Sequence, residues 1–275
     1  MSKIEWTERT WNPITGCTKI SAGCKHCYAE TMAKRLQAMG TRGYENGFGI
    51  TVQLDAVFEK PLHWKKPSMI FVCSMADLFH ENIAYHYIER VMQIIEQCPQ
   101  HTFQILTKRA KNMRAFFESR AVPKNVWLGV TCENQETADE RIPHLLSIDA
   151  SARFLSCEPL LGDINLWNAG WFLSGENVDI NWVIVGGESG HDARPMNPDW
   201  ARSIRDQCLA ANVPFFFKQW GEWISECQLT EQQKSSFFCR KSNNTFRGDL
   251  LVYKVGKKRA GRLLDGVIYD AMPKT

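Results

Sequence analysis

The sequence predicts an α/β fold: a partial or distorted TIM-like barrel of six or seven β/α units with a C-terminal extension. Three observations carry this. From Ser68 onward, short runs of β-branched and aromatic residues alternate with stretches of helical periodicity. Successive runs lie too far apart for tight turns, which points to parallel strands joined by crossover helices. A chain of 275 residues allows one large α/β domain or two smaller ones, and six or seven β/α units favour a partial barrel over the alternative of a doubly wound open sheet.

Taken in order, Trp11–Ile14 reads as a first strand, followed by a cysteine-bearing loop and a helix from about Tyr28 to Met39. The runs Met69–Cys73, Thr102–Leu106, Val126–Val130, Arg153–Cys157, Trp182–Val185 and Val213–Phe217 supply the later strands. Between them Tyr85–Cys98, Ala110–Arg120, Thr137–Ile148 and Pro198–Ala211 have helical spacing, and Asn197 ahead of Pro198 suits an N-cap. Two segments break the rhythm. Leu160–Asn181, with Gly162, Gly170, Gly175, Trp167, Trp171 and Phe172, reads as a loop or lid with aromatic anchors. After Trp220 the pattern gives way to an extension with a polar middle, Ser235–Asn244, and a closing segment, Leu250–Met272. The expected organisation is therefore a barrel domain over residues 1–220 and an extension over 221–275 packed on it.

A composition of 44% hydrophobic and 23% charged residues excludes a disordered chain. No apolar run approaches the roughly 20 residues that span a bilayer, and Met1–Trp6 has no basic segment followed by an apolar one, so a cytoplasmic protein without a membrane partner is expected. Cys73, Cys98, Cys132, Cys157 and Cys208 stand alone in apolar segments, where reduced thiols pack as small hydrophobes. The net charge of +3 permits an anionic substrate without requiring one.

One segment gathers thiols. Cys17, Cys24 and Cys27 follow the pattern Cys-x6-Cys-x2-Cys in a Ser/Gly loop that runs into the helix at Tyr28. Three thiolates hold a cuboidal iron–sulfur cluster and leave one iron open for a further ligand. Gly16 and Gly23 permit the positive φ angles of a wrapped loop, and the helix start aims amide donors at a negatively charged group. The competing reading is a structural zinc site completed by a distant residue such as Cys73 or Cys157, in a nucleic-acid- or partner-binding protein without catalysis. The second half that such sites usually carry, another Cys-x2-Cys or a His pair, is absent from the sequence.

The runs Trp11-Asn12-Pro13-Ile14-Thr15-Gly16-Cys17, Gly23-Cys24-Lys25-His26-Cys27-Tyr28-Ala29, Phe217-Lys218-Gln219-Trp220-Gly221 and Ala260-Gly261-Arg262-Leu263-Leu264-Asp265-Gly266 together resemble the phage-associated three-Cys-motif family. That family is similar to the radical S-adenosylmethionine superfamily. The resemblance implies a partial TIM barrel, a 4Fe–4S cluster on Cys17, Cys24 and Cys27, and S-adenosylmethionine chelated by the open iron. It further implies cleavage of that cofactor to a 5′-deoxyadenosyl radical, an external electron donor and, from the phage association, a co-encoded partner protein. His26 takes the position of the aromatic residue that precedes the last cysteine. The first gap departs from the superfamily pattern, with six residues where three are usual.

In such a fold the working groups follow the C-terminal ends of the strands. Beside the loop residues His26 and Tyr28, the strand-end residues Ser74, Asp77, Glu133, Glu158, Gly186, Gly187 and Glu188 are expected to bind the cofactor, the alternative for any one of them being a helix cap or a solvated loop. Gly186-Gly187-Glu188 resembles the superfamily's glycine-rich turn that holds the cofactor's amino group, although it follows a later strand; Asp77 competes for that role. Lys108, Arg109, Lys218 and Gln219 are expected to bind substrate. Lys254, Lys257, Lys258, Arg259 and Arg262, beside Tyr253 and Gly256, suit a phosphate backbone, so a nucleic acid or nucleotide is the substrate class named. Trp6, Trp11, Trp220 and Trp223 are candidates to wall the site, while Trp127, Trp182 and Trp200 read as core.

Overall fold

The computed structural model describes residues 4–53, 55–167, 180–238, 244–247 and 250–273. The chain divides into two compact units, Met1–Thr131 with Asp139–Phe154, and Cys132–Ala138 with Leu155–Thr275. The main sheet has seven strands: β1 (Arg9–Trp11), β2 (Met69–Val72), β3 (Thr102–Thr107), β4 (Val126–Thr131), β5 (Ala152–Cys157), β6 (Trp182–Gly186) and β7 (Phe215–Gln219). Their spatial order is their chain order. The pairings β1·β2, β2·β3 and β3·β4 in the first unit, and β6·β7 in the second, are parallel. A doubly wound sheet reverses its order at a switch point, and this one does not. The fold is accordingly the α/β, partial TIM-like arrangement that the alternating pattern predicts.

The helices that connect strands of the main sheet include α1 (Tyr28–Ala38), α2 (Tyr85–Glu96), α3 (Ala110–Phe117), α4 (Gln135–Leu146) and α5 (Pro198–Ala210). Every residue of β4 and of β6 is buried, as strands covered on both faces require. In α2, Ile88, Val91, Met92 and Ile95 form the buried stripe that a period of 3.6 demands. Asn197 caps α5 as its position suggested, its side chain accepting from Asp199 N at 3.0 Å.

Several boundaries differ from expectation, each for a local reason. The first strand ends at Trp11: Ile14–Thr15 leaves the main sheet to pair antiparallel with Thr51–Val52. The last strand starts at Phe215, after Pro214 and an Asn212 in the left-handed region (φ 55°), and runs on to Gln219. Of the expected lid, residues 168–179 lie outside the described residues; Trp167 is exposed. The extension contains an antiparallel sheet in the order Trp223–Ser225, Leu250–Lys254, Asn244–Arg247. Among the described residues no helix is long and apolar enough to cross a membrane.

The tryptophans expected at a site wall are core or anchoring groups. Trp6 and Trp11 are buried, Trp6 edge-on to Phe71 and Trp11 donating its indole N–H to Val57 O at 2.8 Å. Trp220 is buried and donates to Leu263 O, and Trp223 donates to Ala193 O. Trp127 and Trp182 are core as expected, whereas Trp200 is only half-buried.

Two features of this framework give stability predictions. Gln104, in the middle of β3 between Phe71 and Trp127 on the neighbouring strands, is fully buried, and neither of its amide atoms has a hydrogen-bond partner among the described residues. Burying such groups unpaired costs about 1–3 kcal/mol. Gln104→Met, which keeps the volume, is therefore expected to raise stability by about 1 kcal/mol in urea unfolding, and a lower midpoint would contradict this.

Asp265 is the second. Its carboxylate receives Arg202 Nε and Nη2, Arg205 Nη1 and Gln228 Nε2 at 2.6–3.1 Å, fastening the closing segment to α5. Its left-handed backbone (φ 51°) is one that Asp and Asn tolerate, so Asp265→Asn removes charge without adding strain. The Arg202 hydrogen bonds, foremost, hold the carboxyl well below the usual range. The folded chain keeps it ionised where the unfolded chain is already protonated. Its contribution is thus complete above about pH 4 and fades as pH falls towards the folded value. Asp265→Asn should cost about 1–2 kcal/mol at neutral pH and much less at pH 2, read from unfolding curves at both.

Candidate metal centre and strand-end groups

The position of Cys17 is set by three backbone constraints. Gly16 N donates to Met75 O at 3.0 Å and Cys17 N to Phe48 O at 3.1 Å, so the residue is clasped between the turn after β2 and the segment before Thr51. Gly16 adopts φ +87°, and a Cβ there would stand 2.1 Å from Gly49 O; only glycine fits. Gly23 needs no such freedom, since it lies in the short turn Ala22–Cys24. Cys27 is the N-cap of α1, where backbone N–H groups of the first turn point out of the helix. Its side chain packs against Ala29, Ala33 and Met75.

Exposure separates the thiols. Cys17, Cys24 and Cys27 are half-buried, whereas Cys73, Cys98, Cys132, Cys157 and Cys208 are buried. Burial first, then the Asp77 carboxylate, pushes the Cys17 thiol up to about 11, with Cys24 adding to the effect and Arg109 opposing it. The Lys19 ammonium lies within charge range of Cys27 and Cys24 while it binds Glu30 at 2.8 Å and Lys25 O at 3.2 Å. Arg109 Nη1 donates to Cys17 Sγ at 3.5 Å.

Among the described residues no three His, Cys, Asp or Glu side chains converge closely enough to hold a single metal ion. A lone zinc requires its thiolates about 2.3 Å from one centre. A cuboidal cluster takes each thiolate on a separate iron, and a donor set of three half-buried thiols, one of them receiving Arg109 Nη1, is chemically of the kind that holds such a group.

The first unit brings several expected residues to this loop. Tyr28 donates its hydroxyl to Ser74 O, and Ser74 Oγ donates to Asn12 Oδ1 at 3.1 Å. Asp77 is buried, and its carboxylate accepts four bonds, from Thr107 Oγ1, Phe79 N, Lys108 N and Arg109 Nη1. Four is all that a carboxylate's lone pairs provide. His26 is half-buried beside Cys27.

A separate constellation forms within the second unit. Glu158 pairs with Lys218 at 3.1 Å, and a Cβ on Gly186 would lie 2.5 Å from the Glu158 carboxylate. Glu133 is buried and its carbonyl accepts from Leu161 N, while the Gly186 carbonyl accepts from Leu160 N. Glu188 is held by Arg194 through Nε and the backbone N at 2.8 Å and Nη2 at 2.7 Å. Gln219 donates to Ser189 Oγ, and a Cβ on Gly187 would meet Trp220 O at 2.0 Å. In the basic cluster, Lys257, Lys258 and Arg259 are exposed. Arg262 instead stacks over Phe216, and Lys254 donates to His191 O.

Sequence reasoning missed Asn12, Thr18, His80, Glu81 and Arg194. Asn12 lay in a quoted motif without a role. Nothing local marked the rest.

A family model described as Protein of unknown function (DUF5131) matches residues 1–273. No curated protein matches the chain. Among solved structures it is similar to spore photoproduct lyase complexed with dinucleoside spore photoproduct, at 12% identity and TM-score 0.40 over 90% of this chain and 68% of that one. A cysteine-to-serine variant of that lyase gives 13% and 0.45 over 91% and 69%. A doubly substituted variant with bound AdoMet and the dinucleoside gives 12% and 0.41 over 90% and 68%.

Proposed function

The chain belongs to the DUF5131 family, and from that premise we propose that it is an iron–sulfur enzyme of the radical S-adenosylmethionine type, with Cys17, Cys24 and Cys27 as the cluster ligands. The observation that carries this reading is the set of three half-buried thiols in one loop at the start of α1, with Arg109 donating to the Cys17 sulfur. When bound, a 4Fe–4S cluster with S-adenosylmethionine supplies one-electron reductive cleavage of the sulfonium and a 5′-deoxyadenosyl radical. Everything else falls to the protein's own groups. The Gly16 and Cys17 amides fix where the first thiolate stands, and α1 presents amide donors to an anionic group beside Cys27.

Of the residues proposed to meet the cofactor, Ser74, Tyr28 and His26 adjoin the loop, while Asp77 has its acceptor positions filled by Phe79, Thr107, Lys108 and Arg109. In the second unit Glu133, Glu158 and the Gly186-Gly187-Glu188 turn are the further candidates, the Glu158–Lys218 pair offering both signs of charge to a zwitterion. Lys108, Lys218 and Gln219 stay as substrate candidates. The proposed substrate class is a nucleic acid or nucleotide, supported by the net charge of +3 and by the exposed Lys257, Lys258 and Arg259.

The test uses protein purified without oxygen. About four irons and matching sulfide per chain are expected, with an electron paramagnetic resonance signal after dithionite reduction that S-adenosylmethionine perturbs. Formation of 5′-deoxyadenosine on adding both reagents is the next readout. One tightly bound zinc and no iron after anaerobic reconstitution overturns the reading.

A further inference from the structure

Arg109, expected from its strand-end position to bind substrate, is engaged elsewhere. It is buried, and all five of its guanidinium N–H groups have acceptors. Nε donates to Glu81 at 2.6 Å; Nη1 donates to Asp77 Oδ2 at 3.3 Å and to Cys17 Sγ at 3.5 Å. Nη2 donates to Thr18 O at 3.3 Å and Thr18 Oγ1 at 2.9 Å. No donor remains for a phosphate or carboxylate of substrate. The two carboxylates fix the plane of the fork, and the fork reaches the first cysteine and the residue after it.

Thr18 is held from a second side. Asn82 N donates to His80 Nδ1 at 3.1 Å, which leaves the proton on Nε2, and Nε2 meets Thr18 Oγ1 at 2.7 Å. Thr18 Oγ1 in turn lies 3.4 Å from Glu81 Oε1. Thr18 opens the six-residue gap between Cys17 and Cys24, and Lys19, next along, is tied to Glu30 of α1. A longer gap has more conformations to lose when its thiols converge, and these ties remove that freedom before any ligand arrives.

We propose that Arg109 is a positioning residue of the metal centre: it orients the Cys17 thiolate and pins Thr18, so that the long first gap holds a cluster, and its N–H on sulfur raises the cluster's reduction potential. The proposal rests on the cluster reading above. A hydrogen bond and a positive charge at a ligand sulfur stabilise the reduced, more negative cluster. Arg109→Met removes charge and fork, Arg109→Lys keeps the charge alone, and Thr18→Val removes the pinned hydroxyl while leaving the contact with sulfur.

The experiment measures iron retention during gel filtration after anaerobic reconstitution, and the midpoint potential by redox titration followed by electron paramagnetic resonance. Arg109→Met should retain iron about 10- to 100-fold more weakly and shift the midpoint downward. Arg109→Lys should recover part of the potential and little of the retention; Thr18→Val should lose retention with the midpoint near native. Should Arg109→Met fail to fold, the other two variants decide. Native iron content and native midpoint in both Arg109→Lys and Thr18→Val overturn the proposal, as does a native midpoint in folded Arg109→Met. A native chain that takes up no iron removes the cluster reading, and this proposal with it.

Discussion

Exchange of Cys24 for Ala is expected to lower the iron bound after anaerobic reconstitution by more than the roughly 10- to 100-fold that loss of an outer-shell partner brings, while Cys157→Ala leaves it unchanged. The physical difference between the two thiols is exposure. Cys24 is half-buried in a turn, with Ser21 Oγ 3.6 Å from its sulfur, so the sulfur is reachable by a metal. Cys157 is wholly buried, and burial first, then Cys132 and Cys208, pushes its thiol far above the ordinary range. It stays protonated and acts as a packing group. Its replacement should therefore appear in unfolding, as a loss of about 1 kcal/mol, and not in metal content. Iron and sulfide assays beside urea curves on the two variants check both halves, and native iron in Cys24→Ala would remove that residue from the ligand set.

What could be read from the sequence was local. The buried stripe of α2 and the apolar runs of β4 and β6 announce themselves within a dozen residues, because helical and strand periodicities are short. The cysteine loop was legible for the same reason: its three thiols lie within one short segment. Arg109 was not. Its partners Cys17, Thr18, Asp77 and Glu81 lie 28 to 92 residues away in sequence, and only the side-by-side order of β1, β2 and β3 brings them together. From sequence it was one of four cations spread over Lys108–Arg114, with nothing to mark it as saturated. Asp77 was named as a candidate from sequence, but its surroundings were not legible there. Counting the donors on its carboxylate required the turn after β2 and the end of β3 in one frame. Trp6 and Trp11 were misplaced because they precede the loop in sequence, whereas β1 carries Trp11 into the sheet core.

Gly16→Ala should abolish stable iron loading although it touches no sulfur. At φ +87° an alanine costs about 1–2 kcal/mol in backbone strain alone, and its Cβ would be driven against Gly49 O, a backbone atom with little room to yield. Relief requires the loop to part from the segment before Thr51. That breaks the bond from Cys17 N to Phe48 O and loosens the one from Gly16 N to Met75 O. The first thiol then has no fixed place relative to Cys24 and Cys27. Gly40→Ala is the matched control, since Gly40 has φ +65° and nothing within 4 Å of a Cβ. It should carry the strain alone, with a loss of about 1 kcal/mol in urea unfolding and native iron content. If the two variants proved equal in stability and in iron, the close approach of Gly16 to Gly49 would have no part in holding the site.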